Sequence, residues 1–369
     1  MKVRYSYLDQ QFAHCDDLWN ELKKFVATGD FTLGKPLVEF EEKFAALIGS
    51  KYAIGVNSGT DAIKLSLKAL GVGFGDEVIT AANTFVATVG AIVELGAKPV
   101  FVDCNDTFCM DVSLVEQAIT ERTKAIIPVH FTGYMTDMRR LMPLSEKHGL
   151  PLVEDACQSI LGAIDNKNAG TWGITGAFSL HPLKNLNVWS DGGIIVTNDD
   201  NMAKKLRLLR NHGLVDRDTV QIMGCNSRLD TIQAVVGNWL IPQTRDIAQR
   251  RMENANYYDS FLKKIPELTI PPRPSGYRIV YHLYMVFAER RDALLEHCIK
   301  NGIEAKVHYP VPIYRQPALN YLGHCEGDFP VSDRHAQNVI SFPCDQHLSK
   351  EEMDYVVRVV SDFYLNPRV

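Results

Sequence analysis

From about residue 50 to 200 the chain alternates short apolar runs with amphipathic stretches. The runs are Ala53–Val56, Glu77–Thr80, Pro99–Asp103, Ala125–His130, Leu150–Glu154, Gly176–Leu180 and Gly193–Thr197. Most are rich in Val, Ile and Leu on both faces, as strands covered by helices on two sides must be. Helical patterns such as Thr60–Leu70 and Ser113–Ile119 lie between them. This alternation predicts an α/β domain around a mostly parallel, seven-stranded sheet. Two amphipathic helices precede it, one facing Leu18, Leu22, Phe25 and Val26 inward, the other Leu37, Phe40, Phe44 and Leu47, with a Gly29–Gly34 loop between. After residue 245 the texture changes. A charged helix, Asp246–Ile265, runs into a proline-rich stretch; strand-like Tyr281–Phe287, helix Arg291–Asn301, strand-like Glu304–Tyr309 and a closing helix, Lys350–Tyr364, follow. The expected division is a large α/β domain over 1–245 and a smaller C-terminal α+β domain over 246–369.

Four segments carry candidate chemistry. In Gly55-Val-Asn-Ser-Gly-Thr-Asp61 a strand ends and a helix opens. Free backbone N–H groups and the helix dipole make such a turn an anion site, with Thr60 adding a hydroxyl and Gly59 close backbone approach; an ordinary capped turn has the same sequence. Gly71-Val-Gly-Phe-Gly75 follows a helix and precedes a strand, the reverse of a dinucleotide-binding loop, and reads as a helix C-cap. Leu152-Val-Glu-Asp-Ala-Cys-Gln158 runs an apolar strand into carboxylates at its C-terminal end, where open α/β sheets bind ligands. A carboxylate there can pair with a protonated ring nitrogen or cap the next helix. In Phe178-Ser-Leu-His-Pro-Leu-Lys-Asn185, Lys184 follows a strand and a proline turn and precedes Asp191-Gly192-Gly193 and another buried strand. An amine in that place can reach a ligand, and desolvation would make it a nucleophile.

Composition narrows the partners. Charged residues number 39 basic and 44 acidic, for a net charge of −5, which offers nucleic acid or an anionic membrane no attraction. Eight cysteines are scattered without a C-x-x-C pair, as reduced thiols are. No metal-ligand spacing stands out. The opening residues lack a secretory apolar run, and no stretch has the length of a membrane span, so the cytoplasm is the expected location.

The ordered blocks G-D-F-T-L-G, V-N-S-G-T-D-A, T-F-V-A-T, P-V-F-V-D, A-I-I-P-V-H, V-E-D-A-C-Q, F-S-L-H-P-L-K-N-L, D-G-G-I-I-V-T-N-D, L-R-N-H-G, N-S-R-L-D-T-I-Q-A and V-H-Y-P-V-P span nearly the whole chain. Together they resemble the DegT/StrS-type sugar aminotransferases, fold-type I enzymes that use pyridoxal 5'-phosphate. The resemblance implies that Lys184 bonds the cofactor covalently and moves the proton, Asp155 pairs with the pyridine nitrogen, and Gln158 bonds the ring hydroxyl. It further implies that Phe85, after Thr84, stacks on the ring and that Gly59, Thr60 and Ser179 hold the phosphate. Asn226 matches a position that reaches the phosphate of the neighbouring subunit, so a homodimer with a shared site is implied. His308 and Tyr309 match the substrate wall.

The implied reaction takes an amino group from L-glutamate to a keto sugar, in amino-sugar biosynthesis. The D-G-G block inclines the family toward carbon 3 of a nucleotide-linked sugar; a keto sugar without a nucleotide is an alternative. So is sugar dehydration, although the dehydratases of the family carry histidine where Lys184 stands. A ligand sensor on the same fold and a nicotinamide-dependent dehydrogenase are the other rivals. Trp189 and Cys157 depart from the family pattern, and both read as packing residues.

Overall fold

The computed structural model describes residues 1–365. Seven strands form the main sheet: β1 (Tyr52–Val56), β2 (Glu77–Ala81), β3 (Lys98–Val102), β4 (Thr123–Ile127), β5 (Val153–Asp155), β6 (Thr175–Ser179) and β7 (Gly193–Thr197). Each falls on a run expected from the apolar pattern. Across the sheet the order is β3-β2-β4-β5-β6-β7-β1, with β4 and β5 joined only by parallel bridges at Ile126–Leu152 and Val129–Asp155. The pairs β2–β3, β2–β4 and β5–β6 are parallel, and β7 runs against both β6 and β1. Every strand but β7 therefore points its carboxyl end to one edge, and β7 begins there.

Helices cover the sheet, and their ends follow from sequence. α1 (Asp16–Thr28) has Asp16 and Asp17 in its first turn, where carboxylates favour the dipole, and stops at Gly29 with φ 70°. α2 (Lys35–Ile48) has Pro36 in its first turn and stops at Gly49 with φ 82°. Leu18, Leu22, Phe25, Leu37, Phe40 and Phe44 are buried as expected. Val26 is not: it sits 55% exposed on the outer side of its helix. α3 (Gly59–Ala69) and α4 (Val86–Val93) follow β1 and β2; α5 (Met138–His148), α6 (Asp200–Leu209) and α7 (Thr231–Leu240) complete this part. The Gly71–Gly75 segment is a turn closing α3, with Gly71 at φ 80°.

The long α8 (Thr244–Leu262) leads to a second, antiparallel sheet of β8 (Leu268–Thr269), β9 (Tyr284–Ala288) and β10 (Val339–Phe342). α9 (Arg291–Lys300), α10 (Pro330–Asn338) and α11 (Lys350–Leu365) pack around it. The chain's first residues also lie on this part. Val3 bridges Ile303, the Tyr5 N–H reaches Glu304 at 2.9 Å, and the Tyr7 hydroxyl meets Glu352.

Three local expectations need correction. Ser113–Ile119 forms two short 3₁₀ turns, Val112–Leu114 and Glu116–Ala118, the first tightened by Asp111, which accepts the Ser113 N–H at 2.9 Å. Strand β9 starts at Tyr284, after Tyr281 takes a left-handed φ of 46°. Glu304–Tyr309 meets β10 only at Lys306–Ser341, then turns away toward the main sheet's edge.

His335 on α10 is fully buried between Phe108 and Phe287, with ring centroids at 5.3 and 5.2 Å, and neither ring nitrogen has a partner among the described residues. Burial, with a smaller push from Arg334, lowers its pKa to about 4. As pH falls below the ordinary histidine value near 6.5, the unfolded chain takes up a proton that the folded one refuses, so stability is lost across that window down to about pH 4. His335→Phe should flatten the decline, retaining on the order of 1–2 kcal/mol at about pH 5 relative to the parent after both are normalised at neutral pH. Urea midpoints at the two pH values measure this, and parallel curves for the two proteins would contradict it.

Candidate active site

The edge where the strands converge opens into a cavity of about 530 Å³. Its wall is made in turn by Ser58-Gly59-Thr60 after β1, Thr84-Phe85 after β2, Phe131 after β4, Asp155 to Gln158 at the end of β5, Ser179 to Lys184 after β6 and Gly192 before β7. The C-terminal part closes it with His282, Lys306, His308 and Tyr309.

The turn after β1 is a true helix start. Ser58 caps α3 by accepting the Asp61 N–H at 3.1 Å, which leaves the earlier N–H groups of the turn without helical partners. A Cβ on Gly59 would come within 2.8 Å of both Cys157 Sγ and Ser179 Cβ, so only glycine lets this turn lie against β6. The strand feeding the turn is pinned from below. Glu41 accepts the Gly55 N–H at 2.7 Å, and Arg210, paired with Glu41, donates to the Gly55 carbonyl at 2.8 Å. From the side, Ser227 donates to Asp61 at 2.7 Å and accepts the Asn57 N–H at 3.3 Å.

Asp155 is 6% exposed, and its carboxylate is fixed on two sides. Thr88 donates to Oδ2 at 2.6 Å, and the Cys157 N–H reaches Oδ1 at 3.2 Å; Thr84 bonds Thr88 at 2.8 Å. Gln158 Oε1 accepts the Thr132 N–H at 2.7 Å, so the amide nitrogen is the end left for a ligand. Lys184 sits on a turn closed by its own N–H to the His181 carbonyl at 2.8 Å and by Asn187 to its carbonyl at 2.9 Å. Its amine has no hydrogen-bond acceptor or carboxylate partner among the described residues. Burial pushes that amine below its ordinary range, while Cys157 and Asp155 pull it partly back. The same surroundings hold His308 neutral, with its pKa lowered to about 4 by burial and by Lys306 and Lys184.

The structure therefore gathers Gly59, Thr60, Phe85, Asp155, Gln158, Ser179, Lys184, His308 and Tyr309 around one cavity. Phe85 and Tyr309 face each other with ring centroids 6.0 Å apart. Asn226 is not among them: it lies exposed on the segment bridged to Asn211. Trp189 packs on Trp19 and Phe12 at 5.2 and 5.9 Å and does not line the cavity, so its packing reading holds. Thr88 and Thr132 went unassigned from sequence. Thr88 stands four residues after Thr84 within T-F-V-A-T, and the turn that opens α4 brings the two hydroxyls together; Thr132 acts through its backbone, which no side-chain pattern reveals.

An anion cradle, a clamped carboxylate, an amide donor and a desolvated amine on one edge fit a phosphorylated pyridine aldehyde: one group each for phosphate, ring nitrogen, ring hydroxyl and aldehyde. Among the described residues no cluster of three or more His, Cys, Asp or Glu could hold a metal, and no helix is long and apolar enough to cross a membrane.

Comparison with known proteins agrees with that chemistry. Residues 15–361 match the DegT/DnrJ/EryC1/StrS aminotransferase family. A protein of Geobacillus stearothermophilus named a pleiotropic regulatory protein is 39% identical, covering 99% of each chain. The UDP-N-acetyl-3-dehydro-alpha-D-glucosamine 3-aminotransferase of Acidithiobacillus ferrooxidans is 38% identical over 94% of this chain and 93% of its own. The dTDP-3-amino-3,4,6-trideoxy-alpha-D-glucose transaminase of Streptomyces venezuelae is also 38% identical, over 98% and 96%. Among solved structures, S. venezuelae DesV in complex with a ketimine intermediate superposes with a TM-score of 0.96 at 36% identity, covering 98% of both chains. Bacillus subtilis NtdA with bound cofactor PMP gives 0.91 at 30%, covering 99% of this chain and 86% of that one.

Thr88→Val removes the hydroxyl that orients Asp155 while keeping its shape. The expected result is weaker retention of pyridoxal phosphate, by about tenfold for one charge-assisted hydrogen bond, with little change in melting temperature. Cofactor titration followed by absorbance measures it; unaltered retention would show that Cys157 alone holds the carboxylate.

Proposed function

The chain belongs to the DegT/DnrJ/EryC1/StrS aminotransferase family, and from that premise we propose that it moves an amino group from L-glutamate to carbon 3 of a nucleotide-linked keto sugar, in a homodimer whose chains share each site. That it is a pyridoxal-phosphate-dependent sugar aminotransferase follows from the family and from relatives of known structure. The observation that carries the residue assignment is the Lys184 amine, desolvated and unpaired, on the same sheet edge as the clamped Asp155.

Pyridoxal phosphate, when bound, supplies the electron sink that makes a carbon–hydrogen bond beside the substrate nitrogen acidic. The chain's own groups do the rest. Lys184 would hold the cofactor through Nζ at rest and, when free, would take the proton from the donor carbon and give it up again, tasks suited to an amine whose pKa burial has lowered. Asp155 would hold a proton at the ring nitrogen. The N–H groups of Gly59 and Thr60 with the Ser179 hydroxyl would bind the phosphate, and Gln158 would donate to the ring hydroxyl. Phe85 and Tyr309, on the cavity wall, would exclude water, and His308, with its pKa lowered to about 4, would offer the sugar an uncharged hydrogen-bonding edge.

The carbon-3 assignment is supported by two relatives named for 3-amination and by the D-G-G block, whose Asp191 and Gly192 line the cavity. Those relatives use UDP and dTDP sugars, and both carriers belong in the trial set. The homodimer is supported by Asn226, exposed outside its own cavity on a segment that also exposes Val215, Val220 and Met223. One relative's regulatory name suggests a sensor on this fold, but a pure binder does not need Lys184 beside Asp155.

Purified protein loaded with pyridoxal phosphate should lose its visible absorbance band on addition of L-glutamate and regain it with a 3-keto nucleotide sugar, with the amino product identified by mass spectrometry. Lys184→Ala should abolish turnover while the phosphate cradle still retains cofactor. Sustained turnover by that variant would remove Lys184 from the mechanism, and faster amination of 4-keto sugars would overturn the carbon-3 assignment.

A further inference from the structure

We infer that Lys306 is a specificity-determining residue whose ammonium, seated on the Tyr5 ring at the cavity wall, holds an anionic group of the reacting ligand. The inference rests on the transaminase reading of the cavity and adds to it a subsite on the wall contributed by the C-terminal part.

The segment from Glu304 to His308 joins its backbone to β10 at Lys306, through paired hydrogen bonds with Ser341 at 3.0 and 2.8 Å. In an extended chain, alternate residues share a face. Glu304, Lys306 and His308 follow that spacing, and each takes a different task. Glu304 accepts the Tyr5 N–H at 2.9 Å and pairs with Lys2 at 3.5 Å, so it fastens the first residues of the chain against this segment. Tyr5 is thereby fixed under Lys306, whose Nζ lies 4.4 Å from its ring centroid, and the Tyr5 and His308 ring centroids are 5.9 Å apart. His308 is held by Ser341, which bonds its Nδ1 at 2.8 Å. Lys306 and His308 both line the cavity.

The charges make Lys306 distinct. Of the cationic side chains lining the cavity, Lys184 is the reacting amine, and Arg251 is committed to Gln346 at 2.9 Å and Asp345 at 3.5 Å. Lys306 has no carboxylate within 4 Å among the described residues. Its position on an aromatic face keeps the long side chain from wandering without neutralising it. Both ligands of the proposed reaction carry anionic oxygens away from the reacting carbon: a carboxylate in the amino donor, a diphosphate in the sugar. Both must enter this one cavity, so one ammonium can serve either.

Lys306→Met keeps the apolar stem over Tyr5 and removes the charge. With the cofactor-loaded enzyme, two quantities are read: the half-saturating concentration of L-glutamate in the absorbance change, and the inhibition constants of dTDP and UDP against that change. A roughly tenfold rise in the glutamate value assigns the subsite to the donor carboxylate; the same rise in the dTDP or UDP value assigns it to the diphosphate. In either case Lys306→Arg should recover most of the loss, the absorbance band should be kept, and added salt should weaken binding more in the parent than in Lys306→Met. If both quantities stay within about twofold, the inference is overturned. If the parent itself ignores glutamate, the transaminase reading fails instead; calorimetric binding of dTDP and UDP to parent and variant then decides on Lys306 alone, equal affinities rejecting it.

Discussion

A common strand direction is the constraint on which the rest depends. Every strand of the main sheet except β7 ends at one edge, and a strand presents a side chain there from its last residue or the few that follow. Residues as distant in sequence as Thr60, Asp155 and Lys184 become neighbours for that reason alone. β7 does not break the arrangement, because an antiparallel strand begins where its neighbours end. It brings Gly192 to the same edge and lets the short Lys184 turn fold back directly into the core.

Within that edge the electrostatics divide into fixed and movable parts. Asp155 is immobilised from two directions, by a threonine hydroxyl and a backbone N–H, and the cradle before α3 rests on the buried Glu41–Arg210 pair and on Ser227. Lys184, on its short turn, is left with an unpaired amine among the described residues. An amine without a strong protein partner has no pairing to break before it bonds a ligand. Rigid acceptors with one free base suit ping-pong chemistry, in which two dissimilar ligands meet the same groups in succession.

Much of this was readable in the residues. The apolar runs located the strands of the main sheet, because strands buried on both faces need contiguous apolar residues. The turn at Ser58-Gly59-Thr60 and the strand ending in Glu154-Asp155 were each ambiguous alone, and the shared edge brings them to one cavity. What stayed hidden depends on contacts distant in sequence. Val26 follows the apolar spacing of α1 yet faces outward, since periodicity fixes a stripe but not its width. Glu304–Tyr309 alternates like a strand but pairs at one position, because its further course is dictated by the cavity it lines. Thr88 was in view within T-F-V-A-T; its bond to a residue 67 positions later was not.

The contacts of Val3, Tyr5 and Tyr7 have a consequence for the order in which the pocket is assembled. Once a growing chain has been made as far as Thr197, every strand of the main sheet exists, and Thr60, Asp155 and Lys184 with them. The wall that closes the cavity does not. Val3 and Tyr5 must wait for Ile303 and Glu304, the latter 299 positions on, and Tyr7 for Asp345 and Glu352. A nascent chain thus passes through a long interval with this edge uncovered, and the pocket is sealed by the meeting of segments made far apart in time.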